Sequence, residues 1–142
     1  MSESTQTETS TAIAAQRHSI VWPTLRYRDA RAAIGFLVDA FGFEETAVYG
    51  EAELVVHAEL RWPTGGGVML GSVREDSAID GLPPGVGSVY IVVDDVDALF
   101  ARATAAGATA VREPVDEDYG GRGCVVRDPE GVFWCFGTYP GE

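Results

Sequence analysis

Residues 29–42, DARAAIGFLVDAFG, decide the fold. Ala30, Ala33, Ile34, Leu37 and Phe41 fall at helical spacing on one stripe, Asp29 stands where an N-cap belongs, and Gly42 follows the last apolar turn. A second stretch, DDVDALFARATAAG at 94–107, repeats the plan. Its stripe is Val96, Leu99, Phe100 and Ala103, with Asp94 or Asp95 as cap and Gly107 as terminator. Both run from an Asp to a Gly thirteen positions on, so one unit recurs at an offset of 65 residues.

The flanks recur as well. SIVWPTLRY precedes the first helix, and FEETAVYG, ELVVHAELRW and GVMLGSV follow it; GSVYIVV precedes the second, and TAVREP, GRGCVV and VFWCFG follow. Each half therefore reads strand, helix, strand, strand, strand. Gly and Pro clusters at TGGG, GLPPGVG and DPEG supply the turns, and Arg74 to Gly85 links the halves. A single four-stranded sheet with one helix leaves its other face in water, and these strands are too apolar for that. The expected fold class is α+β: two βαβββ repeats, about 17–73 and 86–139, forming a curled mixed sheet with a concave cup.

A chain of 142 residues, 46% of them hydrophobic, suits one domain, here 17–142. Residues 1–16, MSESTQTETSTAIAAQ, have almost nothing to bury and read as a disordered N-terminal tail without the features of a signal peptide. The formal charge of −12 repels nucleic acid and anionic lipid and attracts cations, or serves solubility alone. Two cysteines make no secreted disulfide framework, and no apolar run is long enough to cross a membrane, so a cytoplasmic location is expected.

The turn DPEG suits a type I turn followed by a left-handed glycine. That register sets Val125 against Cys135 and Cys124 against Phe136, on opposite faces, so no disulfide forms. A tighter two-residue turn would instead put the cysteines opposite each other.

Taken together, LRYRDARAAIGFLVDAFGFEE, HAELRW followed by GVMLG, VYIVVDDVDALFARATAAGA and RDPEGVFWCFGTY resemble the vicinal oxygen chelate superfamily across about 17–139. That superfamily holds glyoxalases, bleomycin-resistance proteins and extradiol dioxygenases. The resemblance implies the fold already read, and paired chains that complete each other's cups. It also implies four metal-ligand positions, on the first and last strand of each half, which here are Trp22, Leu70 or Gly71, Ser88 and Cys135. None is a His or a carboxylate. One thiol with one serine does not hold Zn, Ni or Fe against water, so neither metal nor cofactor is expected, and Cys135 reads as a small apolar wall.

Alternation along ELVVHAELRW sends Val56, Ala58, Leu60 and Trp62 beneath the helix, and His57, Glu59 and Arg61 to the cup. His57 and Glu59 are the acid–base candidates; a half-exposed strand face with mutual ion pairing explains the same residues. Trp22, Tyr90 and Phe133 have cup-facing parity and together make an aromatic box, although each taken singly suits core packing. Trp134 faces the other way. EPVDEDYGGR, at 113–122, reads as a mobile flap carrying Asp116, Glu117, Asp118 and Tyr119. TGGG lacks the Lys and Ser or Thr of a phosphate loop.

The expected ligand-binding set is Trp22, His57, Glu59, Arg61, Ser88, Tyr90, Tyr119, Phe133 and Cys135. Three functions fit. The first is a metal-free small-molecule binder that sequesters an aromatic or cationic compound, such as an antibiotic, in the cups of a homodimer. The second is a glyoxalase- or dioxygenase-like enzyme, with a non-standard metal site at His57, Glu59 and Cys135 or with His57 as base. The third is an interaction domain whose cup is filled by its own side chains.

Overall fold

The computed structural model describes residues 20–142; the expected tail at 1–16, like residues 17–19, lies outside the described residues. In chain order the elements are β1 (Thr24–Tyr27), α1 (Ala30–Phe36, continuing through a widened π-helical turn, Leu37–Phe41), β2 (Glu44–Glu51), β3 (Leu54–Arg61) and β4 (Gly67–Ser72). The second half follows with β5 (Ser88–Val92), α2 (Val96–Ala105), β6 (Thr109–Asp116), β7 (Arg122–Arg127) and β8 (Phe133–Gly137). Each half is a four-stranded sheet, ordered β1-β4-β3-β2 and β5-β8-β7-β6. The pairs β1/β4 and β5/β8 are parallel and the rest antiparallel. The fold is therefore α+β with the βαβββ unit used twice. Among the described residues no helix is long and apolar enough to cross a membrane.

Both helices start and stop for the expected reasons. The Asp29 side chain accepts from Ala32 N at 3.1 Å, and Asp95 accepts from Ala98 N at 3.0 Å, each satisfying a donor that the first turn leaves free. Gly42 ends the first helix at φ 95°, a conformation that costs a side-chain-bearing residue energy. Beside it, Arg102 of α2 donates from Nε to the carbonyl of Asp39 at 3.0 Å. A cation from one repeat thus meets the negative end of the other repeat's helix.

One expectation fails on β3. Val56 lies 40% exposed, not under the helix, and Val55 is fully buried in its place. Gly50 pairs with Val55 while Tyr49 pairs with His57, so Val56 is an extra residue that shifts the alternation by one. Beyond the bulge the reading holds: Ala58 and Leu60 are buried, Trp62 packs against the core, and His57, Glu59 and Arg61 point the other way.

The inner faces of both sheets and the two helices share one apolar cluster. Phe41 of the first half sits with its ring centroid 5.2 Å from that of Trp134 and 5.0 Å from that of Phe136, both on β8. Above this cluster the halves are joined by polar contacts at the DPEG turn, which has the expected register: Asp128 N donates to Val132 O, and Gly131 takes φ 112°. The Asp128 carboxylate is buried, with 4% exposure, and accepts from Tyr27 OH at 2.6 Å and from Trp134 Nε1 at 3.0 Å. Its other oxygen accepts from the backbone N–H groups of Glu130, Gly131 and Val132. Next to it, the Glu130 carboxylate accepts from Arg28 N at 2.6 Å and Asp29 N at 2.8 Å. Burial, followed by the neighbouring Asp128 charge, raises the Tyr27 phenol far above its ordinary range.

Tyr27→Phe is expected to lower stability by about 1.5–3 kcal/mol, the value of a hydrogen bond to a charged group. Asp128→Ala, which strands two buried donors and loosens the turn, should cost at least about 3 kcal/mol. Urea unfolding of the two variants against the parent measures both.

Candidate functional site

The residues that alternate away from the helices form the open faces of the sheets. On the first sheet, Leu70 is buried on the inner side, so Gly71 is the open-face residue of that pair. Glycine recurs here at Gly67, and at both places a neighbour from the chain leading into or along β1 lies across the gap. A Cβ on Gly67 would come within 2.8 Å of the Trp22 ring, and one on Gly71 would collide with Arg26 Nη1. The Arg61 guanidinium lies 5.1 Å from the centroid of the Trp22 ring. Further along, His57 Nε2 and Glu59 Oε2 are 2.9 Å apart with both side chains about one-third exposed (38% and 31%). The Tyr49 ring is stacked on His57 at 6.3 Å and 17°. The expected mutual pairing of His57 and Glu59 is therefore present, on the open face.

On the second sheet Ser88 lies beside Phe133, and Tyr90 beside Cys135, across the parallel β5/β8 pair. Val125 faces Cys135 from β7, and Cys124 faces Phe136 on the buried side. Both cysteines are free thiols. Burial pushes Cys124 up to about 11 and also raises Cys135, against a smaller downward pull from Arg112, so Cys135 is a thiol at neutral pH and a poor donor. Arg127 covers Phe133, its guanidinium carbon 4.6 Å from the ring centroid.

The segment expected as a mobile flap is built differently. Glu113 to Asp116 continue β6, because Val115 and Asp116 pair with Gly123 and Arg122. At the turn that follows, Arg112 grips Glu117 with two bonds of 2.7 and 2.9 Å, and Tyr119 OH donates to the same carboxylate at 2.8 Å. Arg122 binds Asp97 at 2.8 and 3.0 Å and Asp116 at 3.1 Å. Of these acids Glu117 is drawn in against Arg112, whereas Asp116, although it meets Arg122, and Asp118 stay exposed, as composition reads them.

Tyr90, Val92, Tyr119, Tyr139, Pro140, Gly141 and Glu142 line an open recess of about 630 Å³. Tyr119 and Tyr139 meet edge to face at 5.4 Å, Tyr90 OH donates to Tyr139 O at 2.7 Å, and Tyr139 OH donates to Glu142 at 2.7 Å. Tyr90 is folded across Gly137, where a Cβ would block it. All three phenols are raised: Tyr119 and Tyr139 chiefly by their carboxylate partners, Tyr90 chiefly by burial. They are neutral rings at physiological pH. Tyr90 and Tyr119 thus come together, whereas Trp22 lies on the first sheet under Arg61 and Phe133 lies under Arg127, and neither lines the recess. Tyr139 escaped the sequence reading because it follows the last strand, where no alternation places it.

Trp22, Gly71, Ser88 and Cys135, the positions that the sequence resemblance marks for metal ligands, include no His and no carboxylate. This donor set does not suit a divalent ion. Among the described residues no group of three or more His, Cys, Asp or Glu is arranged to hold one, and that includes the combination of His57, Glu59 and Cys135.

Paired βαβββ units with a donor-poor, aromatic open face define a class of protein, and sequence similarity gives it a family. The chain belongs to the Glyoxalase/Bleomycin resistance protein/Dioxygenase superfamily, whose model matches residues 19–136. It is 38% identical over 125 residues to the uncharacterized protein Rv0887c of Mycobacterium tuberculosis, covering 81% of this chain and 71% of that one. A putative glyoxylase, CFP32, of Mycobacterium bovis shares 46% identity over 46 residues, only 32% of this chain and 18% of the relative. Among solved structures, TioX from Micromonospora sp. ML1 is 35% identical with a TM-score of 0.72, covering 84% of this chain and 97% of that one. A glyoxalase/bleomycin resistance protein from Streptomyces sp. CB03234 shares the fold at a TM-score of 0.65 and 24% identity, covering 83% and 98%.

The Arg112 and Tyr119 bonds hold the Glu117 carboxyl down at about 2. A depressed carboxyl contributes its pairing above the ordinary glutamate range and loses it as pH falls through the folded value. The Glu117 side-chain carbon resonance should therefore titrate near pH 2 in the folded protein, and Arg112→Ala should return it toward the ordinary range.

Proposed function

We propose that the protein is a small-molecule binder of the glyoxalase/bleomycin-resistance type that sequesters an aromatic, cationic compound without metal chemistry. The observation that carries this reading is the tyrosine recess: three neutral rings and a carboxylate edge around about 630 Å³. Neutral phenol rings present electron-rich faces to a cation, and each such contact contributes about 0.5–2 kcal/mol, more when water is excluded. The net charge of −12 draws the same ligands in. The charge also disfavours nucleic acid and anionic membranes as partners. Two free thiols suit a reducing cytoplasm. Tyr49, Tyr90, Val92 and Phe133 remain substantially exposed on the open faces, which supports a homodimer in which paired chains cover them.

Titration with a panel of planar cationic compounds, followed by calorimetry and by the ring-proton resonances of Tyr90, Tyr119 and Tyr139, should give saturable binding for at least one member. Tyr119→Ala should weaken that binding roughly tenfold, about 1.4 kcal/mol. No response across the panel would sink the reading.

The His57–Glu59 pair favours a second reading, a metal-independent proton-transfer enzyme with His57 as base. A carboxylate 2.9 Å from the ring orients the imidazole. On the binding reading, His57→Ala leaves the titrations above unchanged; on the enzyme reading it abolishes turnover of the bound compound. Elemental analysis of protein purified without chelator separates both from a metal enzyme: stoichiometric Ni, Zn, Fe or Mn would overturn both.

A further inference from the structure

The linker between the halves folds back onto the open face of the first sheet and brings a second arginine to the first. Arg26 lies across Gly71 with its side chain partly buried, and Arg74, just past β4, is close enough that its charge, after burial, lowers the Arg26 guanidinium. Two like charges held together oppose folding unless something compensates them. The compensation here is thin. Arg26 Nη2 donates to the neutral Ser77 hydroxyl at 3.2 Å, and among the described residues no carboxylate pairs with it. Arg74 Nη1 reaches Asp76 at 2.9 Å, but that carboxylate is 80% exposed. Arg74 Nε is buried and has no hydrogen-bond partner, the one such side-chain atom among the described residues. A buried donor left without a partner destabilises the fold, and more so when charged.

An oxyanion would answer all three deficits, since planar guanidinium edges are matched in shape to carboxylate and phosphate oxygens. From these observations we infer that Arg26 and Arg74, floored by Gly71 and walled by Ser77, form a binding subsite for a carboxylate or phosphate group. It is separate from the tyrosine recess, which lies on the other sheet, and its existence does not depend on what the recess holds. Gly71 is integral to it: a methyl there would drive the Arg26 guanidinium off the strand.

The subsite is tested by titrating the full chain with inorganic phosphate and, separately, with acetate, watching the Nε–H resonances of Arg26 and Arg74 and the Gly71 amide. Saturable shifts at these groups with either anion, at constant ionic strength, are expected, and the better anion identifies the group recognised. Arg74→Gln should weaken the binding roughly tenfold. Gly71→Ala should weaken it comparably while leaving both charges in place. Amide spectra of each variant report that the fold survives, and the two changes fall in different places, Gly71 within β4 and Arg74 in the linker after it, so failure of one leaves the other to decide. Absence of saturation with both anions, equal shifts at surface arginines such as Arg31, or binding unaffected in the folded variants would overturn the assignment.

Discussion

The buried Asp128 carboxylate is the constraint from which the rest of the molecule is hung. It lies in the last tight turn of the second repeat, yet one of its bonds goes to Tyr27 on the first strand of the first repeat. An ionised carboxylate out of water is tolerable only when its oxygens are satisfied, and this one has five donors around it. Its partners therefore have little freedom. Tyr27 fixes the end of β1, Trp134 fixes β8 against Phe41, and Glu130, carried on the same turn, holds the backbone at the start of α1. The two sheets receive their relation from this knot and from the apolar cluster beneath it, and the open faces inherit their geometry from both.

The repeat was legible because its marks are local. Capping aspartates, terminal glycines and the period of the apolar stripes are statements about single turns of helix, and the structure places each of them as read. The DPEG register was likewise a local matter, so the faces of Cys124 and Cys135 followed from it. Val56 was misread because a bulge is not written in alternation: Gly50 and the tight bend at Ala52, with φ 51°, displace the pairing by one residue, and only the partner strand reveals it. The flap failed for a related reason. Its first residues continue β6, and Glu117 looks solvated until Arg112, on a neighbouring strand position, is placed beside it.

The site was legible in part. Parity put His57, Glu59, Arg61, Ser88, Tyr90, Phe133 and Cys135 on the open faces, since parity needs only a strand. It could not say which of them meet, because that depends on how long side chains lean across neighbouring strands. Tyr90 leans toward Tyr139, Trp22 lies under Arg61, and Phe133 under Arg127. Arg26 and Arg74 were invisible as a pair: one precedes the first helix and the other opens what reads as a linker. Family membership rests on order and spacing along most of the chain, whereas chemistry rests on these few lateral contacts.

Three glycines, Gly67, Gly71 and Gly137, each leave a vacancy on the last strand of a repeat that a neighbour's ring or guanidinium occupies by reclining. The open faces of this protein are thus laid sideways, like tiles over bare backbone, by side chains rooted in the neighbouring segment. A single methyl added at Gly71 or Gly137 would stand a tile upright and change the texture of the open face.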